Sequence, residues 1–307
     1  MTWELRLIAT YYLVCEHYSH LYFHNMRNTN NNTPNFTDAE VMTIYMFCTT
    51  DALKLHSNKE IYDYTHRHLR SWFPTLPKYE AFNARLNNLG ESFRCLTEWV
   101  IPRLYEEKRE FQAPIREFIT DSLPIMLATR QRSRTAKVAL EIANVGFCST
   151  KNIAYHGLKF HAANLMSEQA TLPKPFCNAI SPASAHDNTV FKEELAPHII
   201  NSKVYSDSAY CDKAAALELK DLFNVTVCPI QKRYKGQGEL FYDQKCQNTA
   251  ISRIRQPIEG YFNWLIELTG LQNASKCRSL KGVLTHIYGK FAASVVFLIF
   301  QNLIFNS

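Results

Sequence analysis

The stretch VYSDSAYCD, residues 204–212, decides how the chain is read. Val204-Tyr205 is strand-like, Asp207 stands where that run ends, and a helical pattern follows from Ala214 to Leu222. A strand that ends in a carboxylate and passes straight into a helix is half of an α/β unit. Working outward, Val225 to Ile230 reads as the next strand, and Asn188 to Leu195 as a preceding helix. Further upstream, Phe176 to Ile180 reads as a strand. Tyr155 to Ala163 alternates, with Leu158, Phe160 and Ala162 on one face and Lys159 and His161 on the other. Glu117 to Asp121 is the first strand, and the chain is expected to be helical from about Ile258 to its end. The expectation is an α/β domain, residues 113–307, built on a mixed sheet of five strands with flanking helices.

Residues 1–112 have another period. Thr37-Asp38-Ala39-Glu40 is a capping box, followed by Val41, Ile44, Tyr45 and Cys48 at helical spacing. Helical segments follow around Ile61 to Leu69, Tyr79 to Leu89 and Phe93 to Tyr105. The turn Phe73-Pro74-Thr75-Leu76-Pro77 separates the first two, and Gly90 suits the C-cap of the second. Helix, short turn, helix, with His66, Arg67, His68 and Arg70 nearby, suits a DNA-binding bundle. An ordinary helical domain with solvated charges has the same pattern.

The totals narrow the class. The chain has 307 residues, 46% hydrophobic and 20% charged, with a net charge of +6. Such a composition builds a core, and the mild basic excess is compatible with a polyanionic partner. Nine cysteines, odd in number and never spaced as CxxC, argue against a disulfide framework or a zinc ribbon. Nine glycines and no GxGxxG, P-loop or GxSxG pattern argue against nucleotide cradles. MTWELRLIAT has no basic region followed by a long apolar core, so no signal peptide is seen and a cytoplasmic protein is expected. FAASVVFLIFQNLIF, residues 291–305, is shorter than the roughly 20 residues of a membrane span and is expected to be a buried helix.

Few acids fall at pointed positions. Asp121 lies in the first strand, between Ile119 and Leu123, and Asp207 ends the fourth. Burying a carboxylate without a partner is costly. If the two strands are neighbours, both acids meet at one end of the sheet, where a divalent cation would relieve their repulsion. Hard carboxylate oxygens suit Mg²⁺. A third ligand is sought in SRIRQPIEGYFNWL, 252–265, where Arg255 and Glu259 are four apart and Pro257 suits a first helical turn. Asp212 and Asp243 are competing carboxylates of lower rank. Arg130, Arg132, Arg134 and Lys137 form a cationic loop that is either solvated or in contact with DNA. His20 and His24 are four apart but lack a third ligand.

These residues carry a resemblance. Strand-Asp, α/β stretch, strand-Asp, helix-Glu resembles the DDE catalytic core of insertion-sequence transposases, with a ribonuclease H-like fold. ITDSLP at Asp121, YHGLKFH in the second strand, SPASAHD, YSDSAY at Asp207 and RQPIEGYFNWL at Glu259 follow in the family's order. Together they cover about residues 115–300. The N-terminal part, including WFPTLPKYEAFNARL, resembles the end-binding region of such enzymes. The resemblance implies that Asp121, Asp207 and Glu259 hold two Mg²⁺ ions, for which Mn²⁺ can substitute, and act on double-stranded DNA at element ends and target. It implies a homo-oligomer on DNA. Arg255 would contact phosphate or brace Glu259, Lys159, Lys232 and Arg233 would clamp phosphates, and the His186-Asp187 pair would have a structural or positioning role. The tyrosine and lysine that many relatives carry around the glutamate are here Ser252 and Ile266. Two other outcomes are a DNA-binding derivative without catalysis, and a nuclease of the same fold that does not rejoin ends.

Overall fold

The structure is a computed structural model, and it describes residues 1–25, 34–50, 54–105, 113–166, 172–233 and 236–305, without the side chains of 19–25 and 302–305. The side chains of the candidate pair His20 and His24, and most of the polar run at 28–35, lie outside what is described. The chain divides into two compact units. The first comprises residues 1–104, 137–141 and 265–307, the second 105–136 and 142–264. The expected boundary near residue 112 differs from this grouping in that the C-terminal segment, 265–307, falls in one unit with the N-terminal helices.

The second unit is built on a mixed sheet of six strands: β1 (Arg116–Thr129), β2 (Asn144–Cys148), β3 (Ile153–Leu165), β4 (Lys174–Pro182), β5 (Ser202–Ser206) and β6 (Val225–Pro229). The order is β2-β3-β1-β5-β6, and β4 also pairs with β3. On one side of β1 the neighbours β5 and β6 run parallel to it; on the other, β3 runs antiparallel. The expected five strands become six because β2 is an edge strand with an inverted pattern. Its apolar residues Val145 and Phe147 face solvent at 44% and 61% exposure, so periodicity gives no sign of it.

The central strands read as nearly continuous apolar runs because both faces are covered. Phe118, Ile125, Leu158, Phe160 and Val204 are fully buried. Between β5 and β6 the chain passes through a turn at 208–210 and α7 (Lys213–Phe223). Asp212 accepts from the Ala214 and Ala215 amides at 2.9 and 3.2 Å, and Asn224 closes the helix in the left-handed region. Asp212 is thus a helix cap. The expected helix at 188–195 starts as α6 (Asp187–Val190) and continues as one wide π turn to Leu195.

The first unit is helical in every element described: α1 (Trp3–Asn25), α2 (Asp38–Thr50), α3 (Asn58–His68), α4 (Tyr79–Leu86), α5 (Gly90–Val100) and the C-terminal α9 (Leu280–Phe305). The capping box ahead of α2 is formed: Glu40 takes the Thr37 amide at 2.6 Å and returns its own amide to the Thr37 hydroxyl at 3.2 Å. Asp38, only 2% exposed, is held by Arg85 of α4 and by the Tyr18 hydroxyl. Gly90 does not cap α4 as expected. It opens α5, where a Cβ would come within 3.0 Å of Leu284 and the Thr285 backbone in α9.

Helix α9 is longer than the apolar run at 291–305 implied. Its stretch Leu280–Gln301 is long and apolar enough to cross a membrane, but 72% of it is buried within the protein. Val283, Ile287, Phe291 and Val295 lie four apart along it, none more than 1% exposed, and the helix packs on α2 and α5. A buried apolar stripe of this kind is the usual signature of a core helix.

Candidate functional site

The site is assembled from the parallel pairing of β1 with β5. Ile119 lies opposite Tyr205 in the register, so Asp121 and Asp207, each two residues further on, reach the same level on neighbouring strands. Asp207 leaves β5 and caps the turn at 208–210, its Oδ1 accepting from the Ala209 amide at 2.7 Å. That bond fixes the carboxylate at the strand's end and leaves Oδ2 for another ligand. In Asp121, Oδ1 accepts from the Ser122 amide at 2.8 Å and Oδ2 from Arg255 at 2.8 Å.

Arg255 and Glu259 come from α8 (Tyr242–Thr269). This helix starts about fifteen residues before the expected position because its first half, YDQKCQNTAISRIR, is too polar to show a period. Pro257 accordingly lies inside the helix and not in its first turn. A proline there cannot donate to the carbonyl four residues back, which is that of Arg253. One turn of helix brings Arg255 and Glu259 to the same face, and the Arg255 guanidinium reaches both Asp121 and the Glu259 carboxylate, the latter at 3.3 Å. Arg255 is largely buried while Glu259 is mostly exposed. The guanidinium therefore joins the strand acid to the helix acid across 134 residues of sequence.

Electrostatically the site is short of positive charge. Burial pushes the Asp121 carboxyl up to about 6, and the charges of Asp207 and Asp187 add to this. The Ser122 amide and Arg255 pull the other way. Converging hard carboxylates of this kind are a donor set that fits a divalent cation. No group of three His, Cys, Asp or Glu side chains among the described residues is already spaced to hold one; the guanidinium provides the counter-charge instead.

The other candidates separate. Lys159 donates to Asp187 Oδ1 and to the Ala185 carbonyl, both at 2.8 Å, so its ammonium braces the β4–α6 loop. The neighbouring His161 is fully buried, shares a hydrogen bond with the Ser181 hydroxyl at 2.8 Å, and is pushed down to about 4 by burial. It is a neutral imidazole. Lys232 and Arg233 are exposed, and with Ser208, Gln231, Gln237 and Asn248 they line an open groove of about 880 Å³. Ser208 follows Asp207 directly, so this groove opens beside the acid. Asn248 holds the Gln231 backbone from both sides, at 2.7 and 3.0 Å, and so fixes the loop that carries the two cations. This amide clamp was not foreseeable from the residues alone, since Asn248 and Gln231 belong to no motif. Arg130, Arg132, Arg134 and Lys137 are all exposed.

No family model, curated protein or solved structure matches this chain.

Proposed function

We propose that the chain is a DNA transposase of the DDE type, which binds the ends of its element, cleaves phosphodiester bonds and joins the freed 3′ ends to target DNA. The observation that carries this proposal is the level placement of Asp121 and Asp207 on adjacent parallel strands, with Glu259 tied to Asp121 through Arg255. The mixed sheet, parallel on one side of β1 and antiparallel on the other, is compatible with a ribonuclease H-like core.

Asp121, Asp207 and Glu259 would hold two Mg²⁺ ions, whose chemistry is to activate the attacking oxygen and stabilise the leaving oxygen of an in-line displacement. The chain's own residues prepare the site. The Ser122 and Ala209 amides fix one oxygen of each aspartate. Arg255 offsets the repulsion among the acids. Lys232 and Arg233 hold DNA phosphates along the groove beside Asp207, adding affinity without sequence information. The protein works as a homo-oligomer on DNA, since two ends are cut together.

The test uses the purified protein, a supercoiled plasmid carrying the gene's own flanks, and Mg²⁺, with Asp207→Asn and Glu259→Gln run beside wild type. Nicking at the flank ends by wild type alone, with both variants still binding, supports the proposal. Cutting by Glu259→Gln at the wild-type rate removes Glu259 from the ligand set, and cutting without joined products points to a nuclease. A second reading, a DNA-binding protein without cleavage, is favoured by the guanidinium lying across Asp121 and Glu259. Wild type that binds the flanks and never cuts them establishes it.

A further inference from the structure

Strand β2 turns its apolar residues outward, and what lies behind it explains why. Asn144 clamps Ser184, accepting from its amide at 2.9 Å and donating to its hydroxyl at 2.7 Å. Two residues on, a Cβ at Gly146 would come within 2.5 Å of the Ala183 carbonyl oxygen. Cys148 then joins the buried cluster of Met126, Tyr155 and Ala183. These three positions fix one face of the strand against the protein. Val145 and Phe147 alternate with them and are held outward at 44% and 61% exposure. They form an anchored apolar surface on an edge strand.

The turn at 130–134 lies at the same end of the sheet. Thr129, Tyr155 and Gly146 form one row across β1, β3 and β2. Both β1 and β2 run antiparallel to β3, so Arg130 and Phe147 each stand one residue past that row, two strand spacings or about 10 Å apart. Arg132 and Arg134 follow, both exposed like Arg130, and among the described residues none of the three guanidiniums meets a carboxylate. Ser133 between them is buried and donates to the Arg130 carbonyl at 2.6 Å, which holds the backbone of the turn. Arg130 lies in the left-handed region at φ 56°, so the chain places a guanidinium there at a conformational cost that glycine would avoid. From Ser122 to Ser167 the sequence carries six Lys and Arg and one acid, Glu141, so most of the net charge of +6 is gathered in this part of the chain. Arg130 is nine residues beyond Asp121, roughly 30 Å along the strand direction, and the turn is separate from the carboxylates.

We propose that this corner of the sheet binds a single-stranded segment of nucleic acid, with phosphates held by Arg130, Arg132 and Arg134 and a base stacked on Phe147. The unpaired charge selects a polyanion. The ring selects among polyanions. In a duplex each base face is covered by its neighbours, and an exposed ring has only edges and backbone to touch. In a single strand every base offers an open π face. The surface stands whether or not Asp121, Asp207 and Glu259 cut DNA, because neither its charge nor its ring belongs to that site.

The test follows the anisotropy of a labelled single-stranded oligonucleotide, and of its duplex, across a salt series in metal-free buffer, where cleavage plays no part. The full chain is compared with Arg132→Gln/Arg134→Gln, Phe147→Ala and Phe147→Trp. All the changed side chains are exposed, and equal melting temperatures show that the variants fold. Phe147→Ala is expected to lose roughly 5- to 150-fold in affinity for the single strand, the worth of one stacked base, with its salt slope unchanged. Phe147→Trp keeps the ring and is expected to bind like wild type. The double arginine variant is expected to lower the slope of log K against log salt by about 1.4, at about 0.7 for each phosphate contact on a single strand. An unchanged slope in that variant overturns the surface. Wild-type affinity in Phe147→Ala overturns the stacked base and with it the assignment to single strands. An oligomer that Phe147→Ala dissolves, with single-strand affinity intact, assigns β2 instead to contact between copies of this chain.

Discussion

Arg255 is a residue whose work can be measured apart from any reaction. Its guanidinium touches both Asp121 and Glu259, and its charge pulls the Asp121 carboxyl down against burial and against Asp207 and Asp187. In Arg255→Ala the Asp121 carboxyl is expected to titrate above about 6, followed by carboxyl ¹³C NMR in metal-free buffer. An unchanged midpoint would mean that the contact is electrostatically idle. Lys290 offers a second test. Burial pushes its ammonium down to about 7, with Lys276 adding to the depression and Cys277 and Glu60 opposing it; the adjacent His286 is driven below its ordinary range by burial and is neutral. The folded pKa lies below the unfolded one, so between about pH 7 and 10.5 the unfolded chain binds more protons and stability rises with pH. Below pH 7 the full cost is present. At about 1.4 kcal/mol per unit it is on the order of 5 kcal/mol, an upper bound because the site can relax. Lys290→Met is expected to raise the melting temperature most at pH 6, with the gain shrinking toward pH 10. A gain independent of pH would remove the buried charge as its cause. At this scale Asp121 and Asp207 were legible, because a carboxylate inside an apolar strand, or directly after one, stands out against its neighbours. The bond from Arg255 to Asp121 was not, since nothing local links residues 134 positions apart.

Elements meet where side chains are missing. Gly157 of β3 faces the Ile125 carbonyl of β1, and a Cβ there would overlap that oxygen. The obstacle is backbone, so no side-chain rotation relieves it. It lies next to the register shift between Met126 and Ala128, where β1 already bends. Gly157→Ala is expected to cost at least about 2 kcal/mol of stability, in the range for overpacking a well-filled core, and to lower expression of folded protein. A urea midpoint within error of wild type would show that β1 and β3 separate there at no cost. Strand β2 shows why periodicity fails at an edge: Val145 and Phe147 turn outward, so the pattern that marks a half-buried strand is reversed. The first half of α8 fails differently. Its residues are polar on most faces, and the helix was visible only where Ile258, Tyr261, Phe262 and Leu265 become buried.

Over the whole chain, sequence order and folding unit diverge. Residues 1–112 read as a self-contained helical domain because each helix carries its own apolar face. The apolar run at 291–305 read as a buried helix without any sign of what buries it. The helical unit includes 265–307, and α9 supplies the surface that α2 and α5 cover. Gly90 and Gly289 mark the close approaches: a Cβ on Gly289 would meet the ring of Tyr45 at 2.6 Å. Val283, Ile287, Phe291 and Val295 are all buried along one line, and each such side chain contributes roughly 1.5–3 kcal/mol. Their sum is on the order of 6–12 kcal/mol, comparable to the whole stability of an ordinary domain of 5–15 kcal/mol. A fragment of residues 1–112 therefore leaves an apolar face of α2 and α5 open and is expected to lack a cooperative thermal transition. Adding a second fragment, residues 265–307, is expected to restore one, with an equal change in tryptophan fluorescence whichever fragment is in excess. If residues 1–112 alone melt sharply, the C-terminal helix is dispensable to the helical unit, and the boundary expected from sequence would be the correct one.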